Sequence, residues 1–183
     1  MTLTATGTDP DGGTLSFAWD LDGDGTFESP GASVSFAAGA DQAPATRTVT
    51  VRVTDQSGAT ALDTATVNVV WAFTGFLAPV KSPPDVNASI AGVPIAIRFR
   101  LGGFQGADPA ASTPTVQRKD CATGAPIGTA TDASFVGPAP LFIPGVRTYA
   151  YTWRTERSWR GSCASFTLAL DDGTVHRAEF RFT

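Results

Sequence analysis

The sequence predicts an all-β protein built as two antiparallel sandwich modules in tandem. Three observations carry this expectation. Hydrophobic residues make up 42% of the 183-residue chain, yet they come in short bursts and never at sustained helical spacing. Within those bursts they alternate with polar residues, the period of a strand with one buried face. Between the bursts stand turn signals drawn from 19 glycines and 13 prolines.

In the first half, Leu15, Phe17, Trp19 and Leu21 alternate with Ser16, Ala18 and Asp20. Val34 and Phe36 mark a short strand. Val49, Val51 and Val53 alternate with Thr48, Thr50 and Arg52, and Ala65, Val67 and Val69 with Thr64, Thr66 and Asn68. Turns are expected at Asp9-Pro10-Asp11-Gly12-Gly13, Asp22-Gly23-Asp24-Gly25, Ser29-Pro30-Gly31 and Gln56-Ser57-Gly58. The second half repeats the pattern. Ile95, Ile97, Phe99 and Leu101 form one strand, Tyr149, Tyr151 and Trp153 another, Phe166, Leu168 and Leu170 a third, and Val175 to Phe182 closes the chain. The Pro- and Ala-rich stretch 103–115 reads as a surface loop.

Charge and hydropathy narrow the function classes. The net charge of −4 argues against a nucleic-acid partner, which usually meets a basic face. Basic residues gather late, at Arg147, Arg154, Arg157, Arg160, Arg177 and Arg181, while the first third is acidic. That distribution fits two solvated surfaces of opposite tendency or, less simply, a basic patch for an acidic polymer. No run approaches the roughly 18 apolar residues of a membrane-spanning helix. The residues from Met1 to Gly7 have neither the basic nor the apolar region of a signal peptide.

Specific motifs lie in the first half: Thr8-Asp9-Pro10-Asp11-Gly12, then Leu15 through Gly25, then Val49-Thr50-Val51-Arg52-Val53-Thr54-Asp55 with Gly58. Over residues 2–70 they closely resemble the PKD (polycystic kidney disease) repeat, which implies an immunoglobulin-like sandwich. The family's lead-in strand would precede Leu3, so the resemblance implies a chain that begins inside a domain of a longer protein. The second half carries Phe73-Thr74-Gly75-Phe76, Ile97-Arg98-Phe99-Arg100-Leu101-Gly102-Gly103, Tyr151-Thr152-Trp153-Arg154, Trp159-Arg160-Gly161-Ser162-Cys163 and Asp172-Gly173-Thr174. Over residues 72–183 it looks like the PxKF domain of secreted bacterial proteins. The namesake Pro-x-Lys-Phe reads here as Ala96-Ile97-Arg98-Phe99, with the proline two places early at Pro94. The expected domains are therefore residues 1–70 and 71–183, two immunoglobulin-like sandwiches in tandem. The two families together imply a secreted or cell-surface protein.

The chain has two cysteines, Cys121 and Cys163. A metal site would ordinarily use four ligands, and the chain offers a single histidine. A redox pair would have Cys-x-x-Cys spacing, and this one does not. A structural disulfide is expected, which fits an oxidising compartment.

Candidate chemistry is sparse. Asp20, Asp22, Asp24 and Gly25 form a D-x-D-x-D-G run whose alternate oxygens suit Ca²⁺, with Glu28 in position nine of the loop. The same residues suit a plain hairpin turn. His176 falls on the face of Phe180 and Phe182, at the rim of a core, and Asp171-Asp172-Gly173 reads as a hairpin turn. Trp19 and Trp153 read as core. Trp159 with Arg157 and Arg160 is either an exposed aromatic and cation surface for a ligand or a ring packed over the disulfide. Trp71 falls at the domain junction.

These residues point to a non-catalytic extracellular pair of modules for spacing, adhesion or ligand presentation, with a protein or polysaccharide partner and no required cofactor. The alternatives are an accessory region of a secreted hydrolase and a carbohydrate-binding module using Trp159.

Overall fold

A computed structural model describes residues 1–39 and 43–183, all β apart from two short 3-10 turns. The chain divides into two compact units, Met1–Val70 and Trp71–Thr183.

In the first unit the strands are β1 (Thr2–Thr4), β2 (Ser16–Asp20), β3 (Ser29–Pro30), β4 (Ser33–Ser35), β5 (Ala45–Thr54) and β6 (Thr60–Val69). They form a two-stranded sheet, β1-β4, and a four-stranded sheet in the order β3-β2-β5-β6. All these pairs are antiparallel. The period-two pattern explains the core between the sheets. Trp19, Val49, Val51 and Val67 face inward from one sheet and meet Leu3 from the other, with Phe17, Leu21, Val34 and Phe36 packed around them. The Trp19 indole donates to the Gly31 carbonyl at 2.9 Å, so its polar edge is satisfied as its ring is buried.

In the second unit the strands are β7 (Phe73–Leu77), β8 (Val86–Ser89), β9 (Ile95–Leu101), β10 (Thr115–Lys119), β11 (Thr131–Asp132), β12 (Leu141–Ile143), β13 (Thr148–Trp153), β14 (Cys163–Ala169) and β15 (Val175–Phe182). One sheet runs β11-β10-β14-β15-β8, the other β12-β13-β9-β7. The ladders are antiparallel, save that β8 lies parallel to β15. Aromatic side chains bridge the sheets: Trp153 on β13 packs against Phe166 on β14 and Phe180 and Phe182 on β15, at centroid distances of 5.0–6.1 Å. Both units are thus β-sandwiches.

The loop expected at 103–115 is irregular but anchored. The Tyr149 hydroxyl accepts the Gln105 amide at 2.6 Å and donates to the Gly106 carbonyl at 2.9 Å. Ala111 donates to Ala169, and Asp171 to the Pro109 carbonyl. Backbone groups that no strand pairs are thereby satisfied.

The Tyr151 hydroxyl is buried with no hydrogen-bond partner among the described residues. Burial, with the charge of Asp108 adding to it, pushes this phenol well above its ordinary pKa. An unpartnered buried hydroxyl costs stability, whereas a phenyl ring of the same shape does not. Tyr151→Phe is therefore expected to leave the second unit as stable or to stabilise it by up to about 1 kcal/mol, read by denaturant unfolding.

Candidate functional site

The acidic loop of the first unit is closed by its own backbone. Asp20 ends β2 and is buried; one carboxylate oxygen accepts from Gly23 at 2.6 Å and the other from Gly25 at 2.9 Å. Gly23 and Gly25 both have positive φ, 81° and 86°, which lets the chain fold back over the carboxylate. Asp22 accepts the Asp24 amide and Asp24 accepts the Thr26 amide. The carboxylates of Asp20, Asp24 and Glu28 come within 4.8 Å of one another, and Asp22 lies outside that group. Three carboxylates supply part of the six to eight oxygens that Ca²⁺ takes. The loop is a satisfied turn in its own right, its carboxylates already accepting backbone amides.

Burial would raise the pKa of Asp20, but the amides of Gly23, Gly25, Asp22 and Asp24 outweigh it and hold the carboxyl below its ordinary value. The stability Asp20 contributes is fully present above the usual carboxylate range and is lost as pH falls through its depressed folded value. Asp20→Asn should flatten that acid limb in a pH series of thermal melts of the first unit.

The expected ligand surface at Trp159 takes a different form. Arg157–Trp159 is a 3-10 turn, and it directs the indole inward while Arg157 and Arg160 stay exposed. Trp159 is 9% exposed, with its ring 5.7 Å from Trp153 and 5.5 Å from Phe182. The aromatic is a core residue, so the trio cannot present a stacking platform. The arginines alone remain on the surface.

His176 sits where the alternation placed it. Its ring stacks on Phe73 at 3.6 Å, and Nε2 lies 2.8 Å from the Thr174 hydroxyl. That hydroxyl is also 2.6 Å from Asp172, which also accepts the Thr174 amide and, through its other oxygen, the Trp71 amide. A carboxylate only accepts, so Thr174 hands its proton to Asp172 and receives one from the imidazole. This is a cap on the Asp171–Thr174 turn, and the row is not arranged as a nucleophile and its base. Burial lowers the histidine pKa, against the opposing charge of Asp172. The second unit should accordingly lose stability as pH falls below about 6.5 through the folded value, and His176→Phe should remove that slope.

Cys121 and Cys163 form a disulfide with Cα atoms 5.1 Å apart. Cys163 opens β14, opposite Lys119 at the end of β10, so the bridge fastens the open end of that ladder.

Two groupings have no signal in local sequence. Thr155 is buried, accepts the Gly92 amide at 3.0 Å and donates to the Val93 carbonyl at 2.8 Å, pinning the turn before β9. Arg100 and Arg147, far apart in sequence, line one cavity with Gly102, Gly145 and Val146. Only the pairing of β9 with β13 brings them together.

No protein-family profile matches this chain, and no curated protein does. Among solved structures, SGBP-B of the Bacteroides ovatus mixed-linkage glucan utilization locus, in complex with a mixed-linkage heptasaccharide, is similar at 16% identity with a TM-score of 0.28. The match covers 98% of this chain and 40% of that one. A likeness of that degree fixes neither fold nor ligand.

Proposed function

We propose that this chain is a non-catalytic, extracellular pair of interaction modules, a PKD-type unit followed by a PxKF-type unit, belonging to a larger secreted protein. The observation that carries the proposal is the Cys121–Cys163 disulfide. Such bridges persist in oxidising compartments, where small β domains rely on them. The motif resemblances support the same compartment. Two compact sandwiches are suited to spacing or to presenting a surface to an extracellular protein or polysaccharide. Within that reading calcium is an optional stabiliser at Asp20, Asp24 and Glu28: millimolar Ca²⁺ is expected to raise the melting temperature of the first unit, and Asp24→Asn to remove the rise.

The test is to incubate the whole chain with a panel of extracellular polysaccharides and matrix proteins, following retention and product release together. Reversible retention without release of reducing sugar or peptide is expected. Turnover of any member would overturn the non-catalytic reading.

A further inference from the structure

The outer face of the sheet β12-β13-β9-β7 is organised in rows. Residues directly opposite in an antiparallel ladder share a face. One row runs from Arg98 on β9 across Ala150 on β13 to Leu141 on β12. The next runs from Arg100 through Thr148 to Ile143. The first row continues past Arg98 to Leu77 on β7, whereas the second has a cation at one end and an aliphatic side chain at the other; Leu141 is 55% exposed and Ile143 37%. Beside the second row Arg100, Gly102, Gly145, Val146 and Arg147 surround an open cavity of about 420 Å³. That volume falls within the roughly 300–1,000 Å³ of small-ligand sites.

The cavity is shaped by an unusual arginine. Among the described residues Arg147 is the one non-glycine with positive φ, at 49°. Long L side chains seldom occupy that region, and glycine would occupy it freely. The strain is held by the 3-10 turn Pro144–Val146, closed by the Arg147 amide on the Pro144 carbonyl at 3.2 Å. Strain kept at a surface arginine beside a cavity is a functional signal. The following residue, Thr148, is buried and steers the second cation: Arg100 Nε donates to its Oγ1 at 3.3 Å, and that hydroxyl donates to the Val146 carbonyl at 2.9 Å. One turn thus sets the backbone of Arg147 and steers the guanidinium of Arg100.

Neither is neutralised locally. The ion pairs among the described residues are Lys81–Asp85 and Lys119–Glu179, so the forks of Arg100 and Arg147 face solvent without a carboxylate. The surrounding unit has eleven Lys and Arg against eight Asp and Glu, a net charge of +3. The first unit has two against nine, a net charge of −7.

We propose that the Arg100–Arg147 cavity binds the carboxylate or sulfate groups of an acidic polysaccharide, which deepens the interaction-module reading and rests on it. Guanidinium forks match planar oxyanions bidentately. The aliphatic side chains of Ile143 and Val146 accept the C–H face of a sugar ring, which a bare anion or an acidic peptide would leave unused. Gly102 and Gly145 keep side chains out of the cavity, and a Cβ on Gly145 would meet nothing within 4 Å. Arg98, two residues along β9, lies on the same face at a spacing of roughly 7 Å, with its guanidinium donating to the Ala78 carbonyl.

The experiment is affinity electrophoresis of the whole chain in gels containing polygalacturonate, dextran sulfate, neutral dextran or polyglutamate. Retention by an acidic polysaccharide, falling with added salt, is expected, and the first two gels separate carboxylate from sulfate recognition. Arg100→Ala, Arg147→Gly and Gly145→Glu should each weaken retention at least tenfold. Their melting temperatures should stay near that of the parent, or above it for Arg147→Gly. Equal retention by polyglutamate, undiminished retention in folded variants, or no retention by either acidic polysaccharide would overturn the site. Retention by neutral polymers or matrix proteins alone would overturn it too, while leaving the interaction-module reading standing.

Discussion

Replacing both Cys121 and Cys163 by serine is expected to remove about 4 kcal/mol from the stability of the second unit. The bridge spans a sequence separation of 42 residues, and closing a loop of that length restricts the unfolded chain far more than the folded one. The bridged segment contains β11, β12 and β13 and the Arg157–Trp159 turn, so more than a third of the unit is constrained by a single bond. A loss of that size should lower the melting temperature by on the order of 15 °C for a domain of this size. Cys121 is exposed and open to reductant. Dithiothreitol added to the parent protein should reproduce the double-serine melt, and should not shift the variant. Coincident melts of parent and variant would mean that the reduced, unfolded chain keeps the loop closed by other contacts.

Trp153→Ala should cost a comparable amount, about 3–5 kcal/mol. Its ring is fully buried and touches Trp159, Phe166, Phe180 and Phe182, so truncation leaves a void walled by four aromatic rings that have few ways to collapse. Its indole N–H is buried without a hydrogen-bond partner among the described residues. Trp153→Phe keeps part of the ring contact and removes that orphaned donor, and should cost roughly a third as much as the alanine variant. Urea unfolding of the three proteins gives the order directly. A phenylalanine variant as unstable as the alanine one would show that the indole nitrogen is satisfied in solution.

Much of the fold was legible because inward positions are filled at strict period two by large apolar side chains. Ile95 to Leu101 and Val175 to Phe182 coincide with β9 and β15, and Trp19 and Trp153 are core residues as their strand neighbours implied. β10 was not legible. Its sequence Thr-Val-Gln-Arg-Lys buries only Val116, and the strand exists because β14 offers it a partner whose own inward side chains fill the core. β8 likewise depends on β15, since Val-Asn-Ala-Ser has little strand signal of its own. At Trp159 the sequence left an exposed and a packed ring both open, and one 3-10 turn sends the ring inward while Arg157 and Arg160 stay exposed. The Arg100–Arg147 pairing depends on register between strands, and local patterns carry no register information across so long a separation.

The parallel pairing of β8 with β15 joins the second strand of the unit to its last, with Val86 opposite Glu179 and Ser89 opposite Phe182. If the chain is pulled from its two ends, tension that passes β7 draws the start of β8 one way and the end of β15 the other. Parallel strands loaded so must slide past each other, breaking their hydrogen bonds together rather than one at a time. Should the clamp yield, the disulfide still withholds its 42-residue span, roughly 140 Å of contour, from extension. Under such a pull the β8–β15 ladder is loaded in shear, and the bridged span can lengthen only after the disulfide is broken.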